Sequence, residues 1–257
     1  MGMSVNTNVG AMLALQNLNK SNKMLETTQL HITTGLKVNG PKDDAATYAI
    51  AQRMRGDIAG MGAVKTALSN GEATVNVAIT AGKAVADMLT EMKAKTVQAN
   101  QAGLDTASKD ALQNDFTSLR DQLTTIVQTA EFNGKNLITS TATSLTVLST
   151  VDGSTISVAA QKLDTTTLGI NASNISSGAS AALVAIDAAI NTVTSSLASM
   201  GSSSKRIDVQ SEFTVQLVDI LKEGVGNLVD ADLAEESAAL QSLQIKQQLG
   251  VQALSIA

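Results

Sequence analysis

The sequence of 257 residues contains no cysteine and no tryptophan, and it has only three phenylalanines, one tyrosine, one proline and one histidine. Without cysteine, the chain can form neither disulfide bonds nor thiolate metal sites. The aromatic content is too low for an ordinary globular core of this size, so Ala, Val, Leu, Ile and Met must supply the apolar surface. Such side chains suit helices that pack closely along their length.

Charge and hydropathy exclude two further classes of partner. The formal net charge is −5, whereas nucleic-acid binding depends on clustered Lys and Arg, so we expect no nucleic-acid partner. No apolar run approaches the ~20 residues that span a bilayer, so we expect no membrane insertion. The first basic residue is Lys20 and polar residues interrupt the positions before it, unlike a secretory signal peptide. The protein therefore either stays in the cytoplasm or leaves by a route that reads no such signal.

Two long stretches carry apolar residues at alternating spacings of three and four, a 3.5-residue repeat that is typical of coiled coils. The first comprises Met61, Val64, Leu68, Gly71, Val75, Ala78, Gly82, Val85, Leu89, Met92 and Thr96. The second comprises Leu183, Ile186, Ile190, Val193, Leu197, Met200, Ser204 and Ile207, then more loosely Val218, Leu221, Val225 and Leu228. We expect a mainly α protein, a long antiparallel coiled-coil bundle that pairs N- and C-terminal segments.

Helix boundaries follow from local signals. An amphipathic helix is predicted from residue 5 to about 33, and Gly35 and Asn39-Gly40-Pro41 end it. Its apolar positions are Val5, Val9, Met12, Leu15, Leu18 and Leu25. Asp43 or Asp44 offers an N-cap for the long helix that runs to about residue 100. Gly103 turns the chain into a second helix, and Asn133-Gly134 is expected to end that helix with a left-handed glycine.

The second half of the chain is predicted to hold one hairpin and two helices. Leu145 to Val158 alternates apolar and hydroxyl residues around Asp152-Gly153, which predicts a β-hairpin with a type I′ turn. Helix resumes from about Ser180, and Asp232 with Glu235 resembles a capping box that restarts it. That last helix carries Leu233, Leu240, Leu243, Ile245 and Leu249. The roughly forty residues between the two helical halves are rich in Ser, Thr and Gly and weakly patterned.

Candidate chemical groups are few. His31 is the single imidazole and has no acidic residue three or four positions away, so we interpret it as a surface or interface histidine rather than a catalytic or zinc-binding one. Asp43-Asp44 with Asp57 could hold a cation, but an N-cap and a solvated helix face is the favoured interpretation. No glycine-rich phosphate loop follows a strand. We therefore expect no enzyme, no cofactor and no metal site.

Gly71 and Gly82 lie eleven residues apart on the first apolar stripe. A glycine inside a helix costs ~1 kcal/mol relative to alanine. Either this cost is merely tolerated, or a partner helix passes too close for a methyl group, which we favour.

Several segments together resemble the bacterial flagellins. They are Val5–Asn8, Ala14-Leu15, Leu18–Ser21, Thr33–Asn39, Lys42–Ala46, Ala49–Ala51, Phe132–Gly134 before Leu137, Thr167–Ile170, Asp230–Asp232 and Gln252–Leu254. The residues expected to serve as family and assembly motifs are Asn6, Thr7, Asn8, Leu18, Lys20, Gly35, Lys42, Asp43, Asp44, Asn133 and Gly134. The resemblance covers nearly the whole chain.

The resemblance implies a subunit that polymerises into the bacterial flagellar filament for swimming motility. Residues 1–40 and 228–257 would form terminal inner-shell helices, disordered in the monomer, and 41–227 a coiled-coil core domain with its β-hairpin near 143–172. The variable outer domains would be absent, as in several short alphaproteobacterial flagellins. Partners would be other flagellin subunits, the export chaperone, the type III export apparatus and hook-associated proteins, and the protein would reach the extracellular flagellum without a cleaved signal peptide.

Two alternative functions remain open, and the sequence departs from the family pattern in one place. A hook–filament junction protein shares both helical ends, and a helical signalling or adhesin module belongs to another class. Family members continue for further turns past the segment that Gln252–Ala257 resembles, so we expect further residues after Ala257 in the complete protein.

Residues 89–98 correspond to the segment by which the animal innate immune receptor detects some flagellins. The resemblance implies a basic residue where this chain has Glu91 and an apolar one where it has Lys95, so we expect Leu89, Glu91 and Lys95 to mark a segment that evades the receptor. Alternatively, or in addition, Glu91 and Lys95 form a solvated ion pair.

Overall fold

The computed structural model describes residues 8–256, and within this range the chain forms five helices and two short antiparallel strand pairs. In chain order the elements are α1 (Val9–Thr34), α2 (Ala45–Ala99), α3 (Thr106–Thr129), β1 (Glu131–Phe132), β2 (Lys135–Asn136), β3 (Leu145–Leu148), β4 (Thr155–Val158), α4 (Ile175–Val229) and α5 (Leu233–Ile256). The predicted mainly α fold is confirmed. The predicted start of the first helix at residue 5 lies outside the described residues.

The chain divides into two compact units. Unit 1 comprises Met1–Ala59 and Val218–Ala257, and unit 2 comprises Gly60–Leu217. The long helices α2 and α4 each contribute to both units, because each crosses one of the two boundaries.

The predicted helical stripes form the core of unit 2. Ten of the eleven positions on the α2 stripe are buried, the exception being the partly buried Met61. On α4, the stripe positions Ile186, Val193, Met200 and Ile207 are buried. The stripe positions that alternate with them, Ile190, Leu197 and Ser204, are partly buried. The Lys93 ammonium of α2 lies 2.7 Å from the Asp187 carboxylate of α4. The 3.5-residue repeat therefore identified the packing face of both helices correctly.

The two Gly-containing turns both differ from the sequence-based prediction. Asn133 and Gly134 both have positive φ, 50° and 72°, and they connect β1 to β2 as a two-residue turn. Positive φ at both central residues defines a type I′ turn. The predicted role of Asn133-Gly134 as the helix cap is wrong, because α3 already ends at Thr129.

The hairpin at residues 145–158 is present, with Leu145 opposite Val158 and Leu148 opposite Thr155. Its predicted type I′ turn is wrong. The Ser149 N–H donates to the Ser154 carbonyl at 2.8 Å, and the Gly153 N–H donates to the Thr150 carbonyl at 3.3 Å. These two bonds leave a four-residue turn in which Gly153 takes a φ of 89° and Asp152 takes no positive φ.

The segment that carries little pattern in the sequence supplies several of the most buried side chains of unit 2. Leu137, Ile138, Leu163 and Ile170 have at most 1% of their surface exposed. The Leu163 N–H donates to the Ile138 carbonyl at 2.8 Å, so two irregular stretches pair through their backbones. This segment is a packed part of the core and not a loose connection.

Helix α4 is more apolar than we expected from the sequence. It contains an 18-residue window with a mean hydropathy of 1.4, of which 28% is buried, so by length and composition it could cross a membrane. Its three-and-four-spaced residues nevertheless contribute to the core of unit 2, and a core helix of a soluble protein meets the same composition test.

Candidate assembly surface

Helices α1 and α5 of unit 1 pack against each other in antiparallel orientation through a narrow contact. Three pairs set the register: His31 with Glu236, Asn22 with Gln247, and Leu18 with Gly250. The least exposed α1 positions, most of them spaced by three or four, are Ala11, Ala14, Leu18, Ser21, Asn22, Leu25, Thr28, His31 and Ile32. On α5 the matching set is Glu236, Ala239, Leu240, Leu243, Gln247, Gly250 and Leu254. We call these two sets the α1–α5 contact.

The α1–α5 contact combines large aliphatic residues such as Leu18 and Leu243 with polar pairs and small residues. The His31 Nδ1 atom lies 2.8 Å from Glu236 Oε1, and the Gln247 amide donates to Asn22 Oδ1 at 2.9 Å. A Cβ on Gly250 would lie 3.2 Å from Leu18 Cδ1, so glycine lets the helices approach closely. His31 is thus an interface histidine with a carboxylate partner from a distant part of the chain, which the sequence did not reveal.

Because the contact is narrow, most large apolar side chains of these helices remain outside it. On α1 the exposed set is Val9, Met12, Leu13, Leu15, Met24 and Leu30, and on α5 it is Leu233, Ile245, Leu249 and Val251. We call this set the outer apolar surface. Of the apolar positions that the sequence predicted on the first helix, Val9, Met12 and Leu15 lie here, whereas Leu18 and Leu25 belong to the α1–α5 contact. On the last helix, Leu233, Ile245 and Leu249 lie here, whereas Leu240 and Leu243 belong to the contact.

The outer apolar surface is unusual for its size. Of the eighteen large apolar side chains that are exposed in the described part of the chain, twelve belong to unit 1, which is the smaller unit. In contrast, only Thr28 of α1 and Leu243 of α5 are buried among the described residues of these two helices. Extended apolar surfaces on soluble proteins mark interaction sites. Unit 1 therefore presents a surface that is suited to bury itself against another protein.

Next to the α1–α5 contact, two connecting segments pair with each other. The Lys37 N–H donates to the Val229 carbonyl at 2.7 Å, and the Ala231 N–H donates to the Gly35 carbonyl at 2.9 Å. Gly35 ends α1 with a φ of 70°, as the sequence predicted. A small apolar cluster of Val38, Ala51, Val225 and Val229 lies beside these bonds.

The motif residues lie mainly at helix ends. Asn8 caps α1, because its side-chain oxygen accepts the Ala11 N–H at 3.2 Å. Asp43 Oδ2 accepts the N–H groups of Asn39 and Gly40, each at 3.0 Å. Lys20 and Lys42 are exposed, while Asn6 and Thr7 lie outside the described residues. The motif residues are thus positioned to shape the backbone, and they do not converge on a pocket.

Asp44 is the N-cap of α2. Its carboxylate accepts hydrogen bonds from the Thr47 hydroxyl at 2.6 Å, from the Thr47 N–H at 3.1 Å and from the Ala46 N–H at 3.0 Å. These bonds, with those from Thr47 foremost, lower the pKa of Asp44 because they favour the charged form. Asp44 is therefore the N-cap that the sequence offered, whereas Asp43 holds the turn before the helix through the Asn39 and Gly40 N–H groups. Within residues 8–256 no group of three or more His, Asp or Glu side chains is arranged to hold a metal ion.

In the segment of Leu89, Glu91 and Lys95, the three side chains have different environments. Leu89 has 0% of its surface exposed and belongs to the core of unit 2, whereas Glu91 is exposed. The Lys95 ammonium lies 2.6 Å from the Asp115 carboxylate of α3. The alternative that Lys95 pairs with Glu91 is therefore wrong, because α3 brings a carboxylate closer.

The glycines of the α2 stripe face large aliphatic side chains. A Cβ on Gly82 would lie 3.0 Å from Leu197 Cδ2 of α4, which agrees with the expected close partner helix. A Cβ on Gly71 would lie 2.5 Å from Val147 Cγ2, so there the close neighbour is strand β3 and not a helix. Gly60, eleven residues earlier, would place a Cβ 2.4 Å from Val151 Cγ1. Gly60 was not singled out from the sequence, although the repeated spacing of eleven could have revealed it.

Comparison with known proteins agrees with this architecture. The family model for the bacterial flagellin N-terminal helical region matches residues 5–143, and the model for the C-terminal helical region matches residues 183–257. Flagellin FljM of Caulobacter vibrioides is 48% identical over 257 residues, covering 99% of this chain and 94% of the relative. A flagellin of Brucella melitensis is 35% identical and covers 99% of this chain and 95% of the relative.

Two solved structures share the fold at low sequence identity. The crystal structure of Bacillus cereus flagellin has a TM-score of 0.52 at 21% identity and covers 56% of this chain and 86% of that one. A putative flagellar hook-associated protein from Vibrio parahaemolyticus has a TM-score of 0.60 at 15% identity, covering 73% of this chain and 100% of that one. At such identities the likeness concerns the fold alone, whereas the family models and the relatives span nearly the whole sequence. The chain therefore belongs to the bacterial flagellin family and is a subunit of the flagellar filament.

Proposed function

We propose that this flagellin assembles into the filament by burying its outer apolar surface against neighbouring copies. The single observation that supports this proposal is the concentration of exposed large apolar side chains on unit 1. At ~25 cal/mol per Å² of apolar area removed from water, even a few such side chains contribute several kcal/mol per subunit contact. Monomers that expose this surface gain free energy when they associate, as is expected of a protein that polymerises.

The proposed assembly role explains the weakness of the α1–α5 contact. A helix pair that buries little gains too little free energy to offset ~1–2 kcal/mol of backbone entropy per ordered residue. Residues 1–40 and 228–257 would therefore order fully only when neighbouring subunits cover them, as the inner-shell assignment of these segments requires. Residues 41–227 would supply the stable coiled-coil domain.

The remaining parts of the proposed function concern export and chemistry. The protein would reach the extracellular flagellum through the type III export apparatus, with the help of an export chaperone and without a cleaved signal peptide. Its other partners would be the hook-associated proteins. It would carry no catalytic activity, since His31 is engaged with Glu236 in the α1–α5 contact, Asp43 holds the turn before α2 and Asp44 caps that helix.

Polymerisation seeded by salt and examined by electron microscopy tests the proposed assembly surface. Leu13 and Ile245 are each 58% exposed, so Leu13→Asn with Ile245→Asn should leave the monomer's helical circular dichroism unchanged and abolish long filaments. Val184 of unit 2 is 70% exposed, and Val184→Asn is the matched control. Normal filaments from the double variant, or equal loss in the control, would show that unit 1 does not provide the assembly surface.

We also propose that Glu91 and Lys95 keep the innate immune receptor from binding. Glu91 is exposed, so it would meet a receptor surface that favours a basic residue, and burying an unpaired charge costs several kcal/mol. Leu89 is buried in the core and contributes only to packing. With ~1.4 kcal/mol for each tenfold change in affinity, two such mismatches suffice to abolish useful binding.

Receptor activation by the monomer tests this second proposal. Glu91→Arg with Lys95→Leu should gain activity, whereas nanomolar potency of the unaltered chain would contradict the idea. Removing Lys95 leaves Asp115 unpaired, but both side chains are at least one-third exposed, and such surface pairs contribute ~1 kcal/mol or less. The double variant should therefore stay folded, which its melting curve checks.

A further inference from the structure

The methionines of the described residues fall into three groups by exposure. Met12 and Met24 of α1 are 66% and 48% exposed, and both belong to the outer apolar surface. Met88, Met92 and Met200 of unit 2 are only 8%, 0% and 1% exposed. Met54 and Met61 are intermediate. The thioethers most accessible to solvent therefore lie where the proposed assembly contact forms.

We propose that Met12 and Met24 are oxidation sites through which peroxides control the assembly of the subunit. A lone pair on the thioether sulfur attacks one oxygen of hydrogen peroxide, so an S–O bond forms and the O–O bond breaks. The sulfur loses two electrons to become the sulfoxide, and the peroxide is reduced to water after proton transfer. Enzymes of the methionine sulfoxide reductase class reverse the change, since two electrons from a dithiol, which becomes a disulfide, reduce the sulfoxide and its oxygen leaves as water.

The geometry makes this chemistry selective and consequential. Oxidation follows exposure, so the folded monomer should react at Met12 and Met24 before the core methionines of unit 2. The sulfoxide is polar, and Met12 is surrounded on α1 by the exposed apolar residues Val9, Leu13 and Leu15. Burying an unpaired polar group in such surroundings is unfavourable. Once neighbouring subunits have covered the outer apolar surface, the same thioethers would no longer be accessible. Oxidation would therefore act on free subunits and not on the polymer.

The effect on assembly rests on the proposed function of the outer apolar surface, whereas the selectivity of oxidation does not. For the monomer oxidised at both sites, we expect the critical concentration for polymerisation to rise at least tenfold, which corresponds to about 1.4 kcal/mol. Reduction by a methionine sulfoxide reductase should restore assembly. The oxidation step uses the full chain and dilute hydrogen peroxide alone, and the reductase with its dithiol donor is added only for the reversal.

The first measurement is peptide-resolved mass spectrometry of the monomer during peroxide treatment. Met12 and Met24 should convert at least tenfold faster than Met88, Met92 and Met200. Equal rates across these five residues would overturn the assignment of the sites, whatever the fate of the assembly proposal.

The second measurement compares polymerisation of three chains with and without peroxide. Leucine is close to methionine in volume, so Met12→Leu with Met24→Leu should assemble normally and resist peroxide. Met12→Gln with Met24→Gln imitates the polar sulfoxide and should assemble poorly without any oxidant. Met1 and Met3 lie outside the described residues and remain oxidisable in both variants, so they are an internal control.

The outcomes separate the two proposals. If the leucine variant loses assembly on oxidation as readily as the unaltered chain, Met12 and Met24 are not the controlling sites and the inference is overturned. If the glutamine variant assembles normally, then the outer apolar surface tolerates polar groups, and the proposed assembly surface fails together with the inference. Resistance of the leucine variant combined with poor assembly of the glutamine variant supports both.

Discussion

Replacing Gly71 by alanine should destabilise unit 2, although alanine is the better helix former. The added Cβ would lie 2.5 Å from Val147 Cγ2 and 2.9 Å from Val147 Cγ1. Val147 is β-branched, so its χ1 angle is restricted. Its side chain is 3% exposed, and its backbone is paired with Ile156 of β4. The methyl groups therefore have little room to move aside, and either β3 or α2 must shift.

The magnitude follows from two opposed effects. Alanine gains ~1 kcal/mol of helix propensity relative to glycine, while overpacking a well-filled core costs ~1–3 kcal/mol. The net change is a loss of ~0–2 kcal/mol. Gly62 lies on the same helix with nothing within 4 Å of the position that a Cβ would take, so Gly62→Ala receives the propensity gain without the clash. For a unit of this size, 1 kcal/mol corresponds to ~2–4 °C in Tm.

Thermal melts of three variants decide the matter. Gly62→Ala should raise the Tm by a few degrees, and Gly71→Ala should melt clearly below it. Adding Val147→Ala to Gly71→Ala should recover part of the loss, because the truncated side chain makes room for the new methyl group. A Tm for Gly71→Ala equal to or above that of Gly62→Ala would refute the close approach of β3 to α2.

Three further predictions concern other parts of the chain. Gly82→Leu should lower the free energy of unfolding by ~1–3 kcal/mol, because Leu197 already limits the space; a higher Tm would mean that position 82 faces solvent. Limited proteolysis of the monomer should remove roughly residues 1–40 and 230–257 and leave a resistant core, whereas uniform protection would contradict weak terminal helices. A hydrogen bond from Thr47 lowers the pKa of Asp44 from 3.8, and one from Ser108 lowers the pKa of Asp105 in the same way. Each charged carboxylate therefore stabilises the folded chain above pH 3.8, and this stabilisation is lost as the pH falls through the lowered pKa. The stability difference between the unaltered chain and Asp44→Ala, followed by urea unfolding, should therefore shrink below about pH 4 and stay constant at neutral pH.

The helical core was predictable because its signal is a long repeat. A stripe of eleven positions on α2 averages out local exceptions, and ten of them are buried. The helix ends at Gly35 and Asp44 were also predictable, since each depends on one residue type and its own backbone. These features can be predicted without knowing which residues pack against the helix.

Features that depend on distant partners were not predictable in the same way. Asn133-Gly134 and Asp152-Gly153 carry the same local turn signal. Only the register of the strands that flank each pair determines which type of turn it forms. Asn tolerates the left-handed region in a two-residue turn, whereas the pairing of Ser149 with Ser154 lengthens the second turn. Likewise, the glutamate partner of His31 lies 205 residues away, beyond any local pattern.

The terminal helices departed from the sequence-based prediction for a physical reason that bears on function. Both α1 and α5 carry apolar residues on more than one face, and large side chains such as Met12 and Ile245 gave the stronger signal. The structure packs α1 on α5 through Leu18, Leu25 and Leu243, together with small or polar residues such as Ala14 and Gly250. A helix whose intramolecular contact takes only part of its large apolar residues keeps the others for another surface. The large apolar side chains that stay exposed therefore point to assembly, because a monomer under selection only to fold would bury them too.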